Sequence, residues 1–136
     1  MTGSGRAVDV EVNVFEVDDT VVFKHYFEDE KVFARLKPFY NHSQYRFDVP
    51  PEEFAELRSF LAEHGYELVV VEAVSKFVVV VEKYTAHPEN IFTDSVMQRS
   101  TDGHNCFLLT DQYAVAGAVA EGATRLSDID LPNPFR

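Results

Sequence analysis

Three short apolar runs place the strongest limits on what this chain can fold into. They occupy residues 68–71, 77–81 and 106–109 and are apolar at nearly every position. Successive side chains of an extended strand point to opposite faces, so each run would be apolar on both faces. Such strands are typical of a sheet interior that is covered on both sides. We therefore predict central strands here, with Val79, Val80, Phe107 and Leu108 in the core.

The chain before residue 50 carries a different pattern. Residues 8–14 alternate valine with polar side chains, which predicts a strand with one buried face. Asp18-Asp19-Thr20 predicts a turn into a second strand over residues 21–27, so that the two strands form a hairpin. We predict a third strand over residues 31–37, which Pro38 ends or marks as an edge, and a fourth over residues 45–49.

Three helices are predicted in the rest of the chain. Pro50-Pro51-Glu52-Glu53 is a helix start, since proline and acidic residues both suit a first turn. Phe54, Leu57 and Leu61 then form one apolar stripe, and Gly65 suits the helix end. A second helix is predicted from His87 to about Arg99. A third is capped by Thr110 or Asp111 and closed by Gly122.

These elements define the fold class as α+β. An N-terminal antiparallel β-meander precedes the order α-β-β-α-β-α, in a single compact domain that spans residues 1–136. Residues 1–6 are expected to be disordered, and residues 127–136 to form an extended tail.

The acidic charge of the chain predicts a protein that works in concentrated salt. Asp and Glu total 23 against 12 Lys and Arg, giving a formal net charge of −11, and the carboxylates are scattered. In about 1 M salt the Debye length is roughly 3 Å, so self-repulsion is largely screened. The composition resembles that of small acidic proteins of halophilic archaea. Without an apolar signal region or a run long enough to span a membrane, we expect a cytoplasmic protein with no membrane partner.

A basic and aromatic surface is the first candidate site. Alternation along the predicted third strand turns Phe33, Arg35 and Lys37 away from the apolar set Val32, Ala34 and Leu36. Lys24 and Tyr26 share a face of the predicted second strand, and Arg46 opposes the apolar side chains of the predicted fourth. Such a surface suits contact with a second subunit, which we favour, or a flat anionic ligand such as a stacked base. The candidate binding residues are Lys24, Tyr26, Phe33, Arg35, Lys37 and Arg46.

A resemblance supplies the second candidate. Gly65-Tyr66-Glu67-Leu68, the stretch from Lys76 to Tyr84, and Cys106-Phe107-Leu108-Leu109 resemble the core of the restriction-endonuclease-like nucleases of the Mrr type, over roughly residues 51–131. The resemblance implies a metal-binding acid at Glu67 and a catalytic lysine at Lys83. The family's second carboxylate falls on Val81, with Glu82 on the other face of a regular strand. It therefore implies an inactive nuclease that still holds nucleic acid.

The sequence gives little support for a metal site, a cofactor or a reactive cysteine. The five histidines show no recognised ligand spacing, so we expect no metal site and no cofactor. Cys106, the single cysteine, adjoins an apolar run and is expected to be a buried structural thiol. The favoured hypothesis is a non-enzymatic binding or regulatory module that self-associates as a homodimer. The alternative is the degenerate nuclease-like protein, and nucleic acid is the less favoured partner.

Overall fold

The computed structural model describes residues 10–101 and 103–135 and has the mixed α+β class, with strands first. The chain divides into two compact units, residues 1–71 and residues 72–136. The described strands make two sheets, one in each unit. The predicted disordered residues 1–6 lie outside the described residues.

The first unit contains a five-stranded sheet. Its strands are β1 (Val10–Val17), β2 (Thr20–Phe23), β3 (Tyr40–Asn41), β4 (Arg46–Val49) and β5 (Tyr66–Val70), in the spatial order β3-β4-β2-β1-β5. Asp18 and Asp19 join β1 to β2, both with positive φ (51° and 62°), as a tight hairpin turn requires. β5 pairs with β1 in parallel, in the register Val12 to Leu68. Among the described strands β5 is thus an edge strand, and the prediction of a central position for residues 68–71 was wrong.

Two helices accompany this sheet. The predicted α2 (Pro51–Glu63) is confirmed, with Leu57 and Leu61 fully buried and Gly65 at φ 89° beyond its end. The prediction of a third strand over residues 31–37 was wrong, because these residues lie mainly in helix α1 (Glu30–Leu36). The Asp29 carboxylate caps this helix by accepting from the N–H groups of Lys31 and Val32. A 3₁₀ turn over Lys37–Phe39 follows it.

The second unit contains a four-stranded sheet. Its strands are β6 (Val78–Glu82), β7 (Ser95–Thr101), β8 (His104–Leu109) and β9 (Thr124–Arg125), in the order β9-β6-β8-β7. The predicted core residues Val79, Val80, Phe107 and Leu108 are all buried, which confirms β6 and β8 as its inner strands.

The second predicted helix was mostly wrong. Only α3 (Ile91–Asp94) is helical, and residues from Ser95 onward form β7. β7 pairs antiparallel with β8, and the pairing of these two strands overrides the helical interpretation. The predicted third helix is confirmed as α4 (Gln112–Ala120). The Asp111 side chain caps it by accepting a hydrogen bond from the Ala114 N–H. Short 3₁₀ turns also occur at Val74–Phe77 and Leu126–Asp128. Among the described residues, no helix combines the length and apolar character needed to cross a bilayer.

Candidate functional site

The predicted basic and aromatic residues do not share one sheet face. Phe33 and Arg35 lie on helix α1, where two residues of separation turn the side chain by about 200°. They therefore point to opposite flanks, whereas a strand would have placed them together. Lys24 and Tyr26 follow β2, Lys37 begins a 3₁₀ turn and Arg46 is on β4. Their role in binding stays a prediction.

Arg46 and Arg35 have contacts that join structural elements. The Arg46 Nε lies 2.7 Å from an Asp48 carboxylate oxygen, and the other oxygen of Asp48 accepts from the Asn41 amide at 2.9 Å. This network ties β3 to β4. The Arg35 guanidinium lies 5.9 Å from the ring centroid of Phe60 on α2, so it packs α1 against α2.

The residues carried over from the nuclease resemblance lie on different sheets. Glu67 belongs to β5 in the first unit, whereas Glu82 ends β6 in the second and Lys83 follows it. Val81, at the position of the family's second carboxylate, is buried among apolar side chains that include Val115. Within residues 10–101 and 103–135, no three acidic, histidine or cysteine side chains gather as a metal site would require.

A groove in the second unit is a candidate site. It forms because β9 covers only part of β6: Thr124 and Arg125 pair with Val80 and Val79. Continuing that register would place Gly122 opposite Glu82. The chain instead turns at Gly122 (φ 112°), where the Gly122 N–H donates to the Val119 carbonyl at the end of α4. We call the resulting space, of about 310 Å³, the edge groove. Its polar or glycine lining comprises Glu82, Thr85, His104, Gly122 and Thr124.

The backbone of Glu82 faces the edge groove. The Lys83 N–H donates to the Gly103 carbonyl at 2.9 Å, on the β8 side of β6. Because backbone groups alternate along a strand, the N–H and C=O of Glu82 point to the opposite side, beyond the end of β9. The hydroxyl of Thr85, a residue that lines the groove, donates to the Glu82 carbonyl at 2.7 Å. Among the described strands, none places a residue opposite the Glu82 N–H.

The side chains give the groove a mixed character. Val80, Val81, Ala86 and Ile129 supply apolar lining. Glu82 and His104 are cross-strand partners, so their side chains lie on one face of the sheet. A cavity of this size, with apolar walls and a few polar groups, is at the small end of the range for ligand sites.

An aromatic residue stands in a strained conformation beside the groove. Tyr84 has a positive φ of 66°, which is uncommon for a bulky side chain, and it is fully exposed. It lies between Glu82 and Thr85, in the turn that follows β6. Strained backbone and exposed aromatic rings both recur at binding sites.

A smaller cleft of about 140 Å³ lies between α3 and α4. One of its acidic side chains has a structural contact: the Glu121 carboxylate accepts a hydrogen bond from the Glu89 N–H at 2.9 Å. This bond holds the segment before α3 against the end of α4.

The buried titratable groups have a structural character. Cys106 is fully buried, as predicted; burial raises the pKa of its thiol, and the neighbouring Thr101 hydroxyl partly offsets the rise. His25 is half-buried between aromatic rings, 4.8 Å from Phe27 and 5.9 Å from Tyr66 by ring centroids. Burial lowers the pKa of this imidazole.

The edge groove was not found from the sequence. Gly122 marks the end of α4, but nothing local says that Thr124 pairs with Val80. The comparisons do not identify the site either: no family model, curated protein or solved structure matches this chain.

Proposed function

We propose that this protein is a non-enzymatic binding module that takes a short extended peptide segment into the edge groove. The observation that carries the proposal is the N–H of Glu82, which points into the groove where no described strand lies opposite it. An extended peptide can place a carbonyl oxygen where it accepts from the Glu82 N–H. The peptide would then lie beside β6 as a continuation of strand β9. Addition of a strand to a free sheet edge is a recurring mode of peptide recognition.

The charge of the groove selects among peptides. Glu82 lines it, and the whole chain has a formal net charge of −11, so cationic segments are favoured over anionic ones. An exposed ion pair is worth about 0.2–1 kcal/mol, so this preference amounts to about fivefold at most. Affinity rests mainly on main-chain hydrogen bonds and on the apolar lining.

Nuclear magnetic resonance titration with two blocked tripeptides tests the proposal. Acetyl-Val-Lys-Val-amide should shift the backbone amide signals of Glu82, Thr85 and Thr124. Acetyl-Val-Glu-Val-amide should bind more weakly. Dissociation constants of about 1 mM, equivalent to roughly 4 kcal/mol of binding free energy, are sufficient for detection.

Two variants at one position separate the backbone from the carboxylate. Glu82→Pro removes the N–H that faces the groove, at an edge position where proline is tolerated, and should abolish binding. Glu82→Gln keeps the N–H and should bind both peptides with little preference between them. Signals that do not move with either peptide, or equal binding by the proline variant, would contradict the proposal.

A further inference from the structure

Tyr84 combines two features that the stability of the fold does not explain. Its side chain is fully exposed, so the ring contributes nothing to the core. Its φ of 66° lies in the left-handed region, where a turn normally has glycine or asparagine. A bulky ring therefore occupies a position at which a small residue would serve the turn better. Backbone strain of this kind is concentrated at binding sites.

The other residues with this backbone conformation set Tyr84 apart. Among the described residues, the non-glycine positions with positive φ are Asp18, Asp19, Tyr45, Tyr84 and Asn90. Aspartate and asparagine adopt the conformation readily, because their short polar side chains can form local hydrogen bonds. Tyr45 is exposed as well, but it belongs to the first unit, directly before β4. Tyr84 is the tyrosine that directly adjoins a residue of the edge groove in the chain, Thr85.

The distance from Tyr84 to Glu82 limits what the ring can contact. The Thr85 hydroxyl donates to the Glu82 carbonyl, which bridges the turn that contains Tyr84. Two residues span at most about 7 Å, so the ring is within side-chain reach of the Glu82 carboxylate. A peptide residue whose backbone pairs with Glu82 has its side chain on the same face as that carboxylate. This peptide side chain can therefore contact both the carboxylate and the ring.

Charge and ring chemistry identify that peptide side chain. Among the described residues that line the edge groove, Glu82 supplies a carboxylate and none is lysine or arginine. A cation therefore fits opposite Glu82. Lysine and arginine can both pair with a carboxylate, but the planar guanidinium of arginine also stacks on an aromatic face. An exposed ring beside the carboxylate favours arginine.

We infer that the edge groove binds an arginine residue of its peptide, with the guanidinium paired to Glu82 and stacked on the Tyr84 ring. The inference rests on the proposed function of the groove and names the residue that the groove selects. In this arrangement the backbone of β6 binds the peptide main chain. Tyr84 sets the preference for arginine over lysine.

Nuclear magnetic resonance titration of the full chain with two blocked tripeptides tests the inference. Acetyl-Val-Arg-Val-amide should bind more tightly than acetyl-Val-Lys-Val-amide. Tyr84→Asn should weaken binding of the arginine peptide about two- to fivefold, the range of an exposed cation–π contact, and should reduce its advantage over the lysine peptide. Tyr84→Phe keeps the ring and should keep the preference. Tyr45→Asn makes the same change at the same backbone conformation, and should bind both peptides as the unmodified chain does.

A measurement on the unmodified chain does not depend on how any variant folds. The δ-methylene proton signals of the bound arginine should move upfield, because these protons lie over the tyrosine ring. Arginine signals that stay in place overturn the inference. So does equal binding of the two peptides by the unmodified chain, or an arginine peptide that Tyr84→Asn binds as tightly. In these cases peptide binding itself, and with it the proposed function, still stands. If neither peptide binds, the proposed function fails and this inference fails with it.

Discussion

Arg99 donates a hydrogen bond from Nη1 to the carbonyl oxygen of Pro134 at 2.6 Å. The same guanidinium lies 5.6 Å from the ring centroid of Phe135, which is only 1% exposed. The Phe135 N–H in turn donates to the Asn133 side chain at 3.0 Å. The predicted extended tail is therefore fastened to β7 by one cation and one buried ring.

This fastening should contribute strongly to stability. Phe135→Ala removes a fully buried ring and should lower the free energy of unfolding by about 3–5 kcal/mol. Pro132→Ala, at an exposed position of the same segment, is the matched control and should change it little. Urea denaturation measures both. If the two variants were equally stable, the ring would not be part of the core.

His25 should make stability depend on pH. Burial lowers the pKa of its imidazole in the folded chain, so unfolding takes up a proton once the pH falls below the unfolded value, about 6.5. The contribution of His25 to the free energy of unfolding is therefore at its full value above about pH 6.5. It decreases as the pH falls from there toward the pKa of His25 in the folded chain.

Denaturation between about pH 8 and pH 5 measures this effect. His25→Phe should flatten the loss of stability toward acid, whereas His42→Gln, at an exposed histidine, should leave the slope unchanged. An unaltered slope in His25→Phe would show that the imidazole charges as easily in the folded chain as in the unfolded one.

Salt should stabilise the protein. On α2 the exposed carboxylates of Glu52 and Glu53 lie four and three residues before Glu56, and such like-charge pairs destabilise a helix by about 0.2–0.5 kcal/mol each. The melting temperature should therefore rise as KCl increases from about 0.1 M to molar concentrations. Glu56→Gln should melt higher in low salt, with the difference vanishing in high salt. A melting temperature that is flat in salt would count against a halophilic origin.

No metal-dependent nuclease activity is expected. The family's second metal ligand would lie at position 81, where a buried valine packs in an apolar cluster. The nuclease resemblance requires two carboxylates to hold its hydrolytic metal ion. Incubation of DNA and RNA with the protein and Mg²⁺ or Mn²⁺ should leave both intact. Cleavage that requires Mg²⁺ and disappears in Lys83→Ala would restore the nuclease alternative.

Local signals predicted the best-defined elements. Pro50 and Pro51 at the start of α2, Gly65 after its end and the Asp111 cap of α4 all act within one turn of a helix. Their effects do not depend on distant parts of the chain, so the sequence was sufficient to find them.

The failure at residues 31–37 has a geometric origin. Val32 and Leu36 are four residues apart, a spacing that places both on one face of a strand and also on one face of a helix. Apolar spacing alone could not separate the two structures. The capping signal of Asp29, followed by Glu30, favours a helix and would have decided it.

The failure at residues 95–101 came from giving the helical pattern more weight than the Asp102-Gly103 dipeptide. Asp-Gly between two segments is among the strongest short-range hairpin signals, and it precedes β8 directly. The edge groove had no comparable signal, because it depends on where Thr124 meets Val80, far apart in the chain.

The parallel pairing of β1 with β5 sets the order in which the first unit can be completed. Val10 meets Tyr66, and every residue between them must be synthesised before the pair can close. At about 5–20 residues per second on the ribosome, several seconds pass before β5 has been synthesised and can pair with the outer edge of β1. During that interval its backbone groups are open to neighbouring nascent chains. We expect closure of this long-range pair to limit the folding rate, and chaperone dependence to be greatest in this interval.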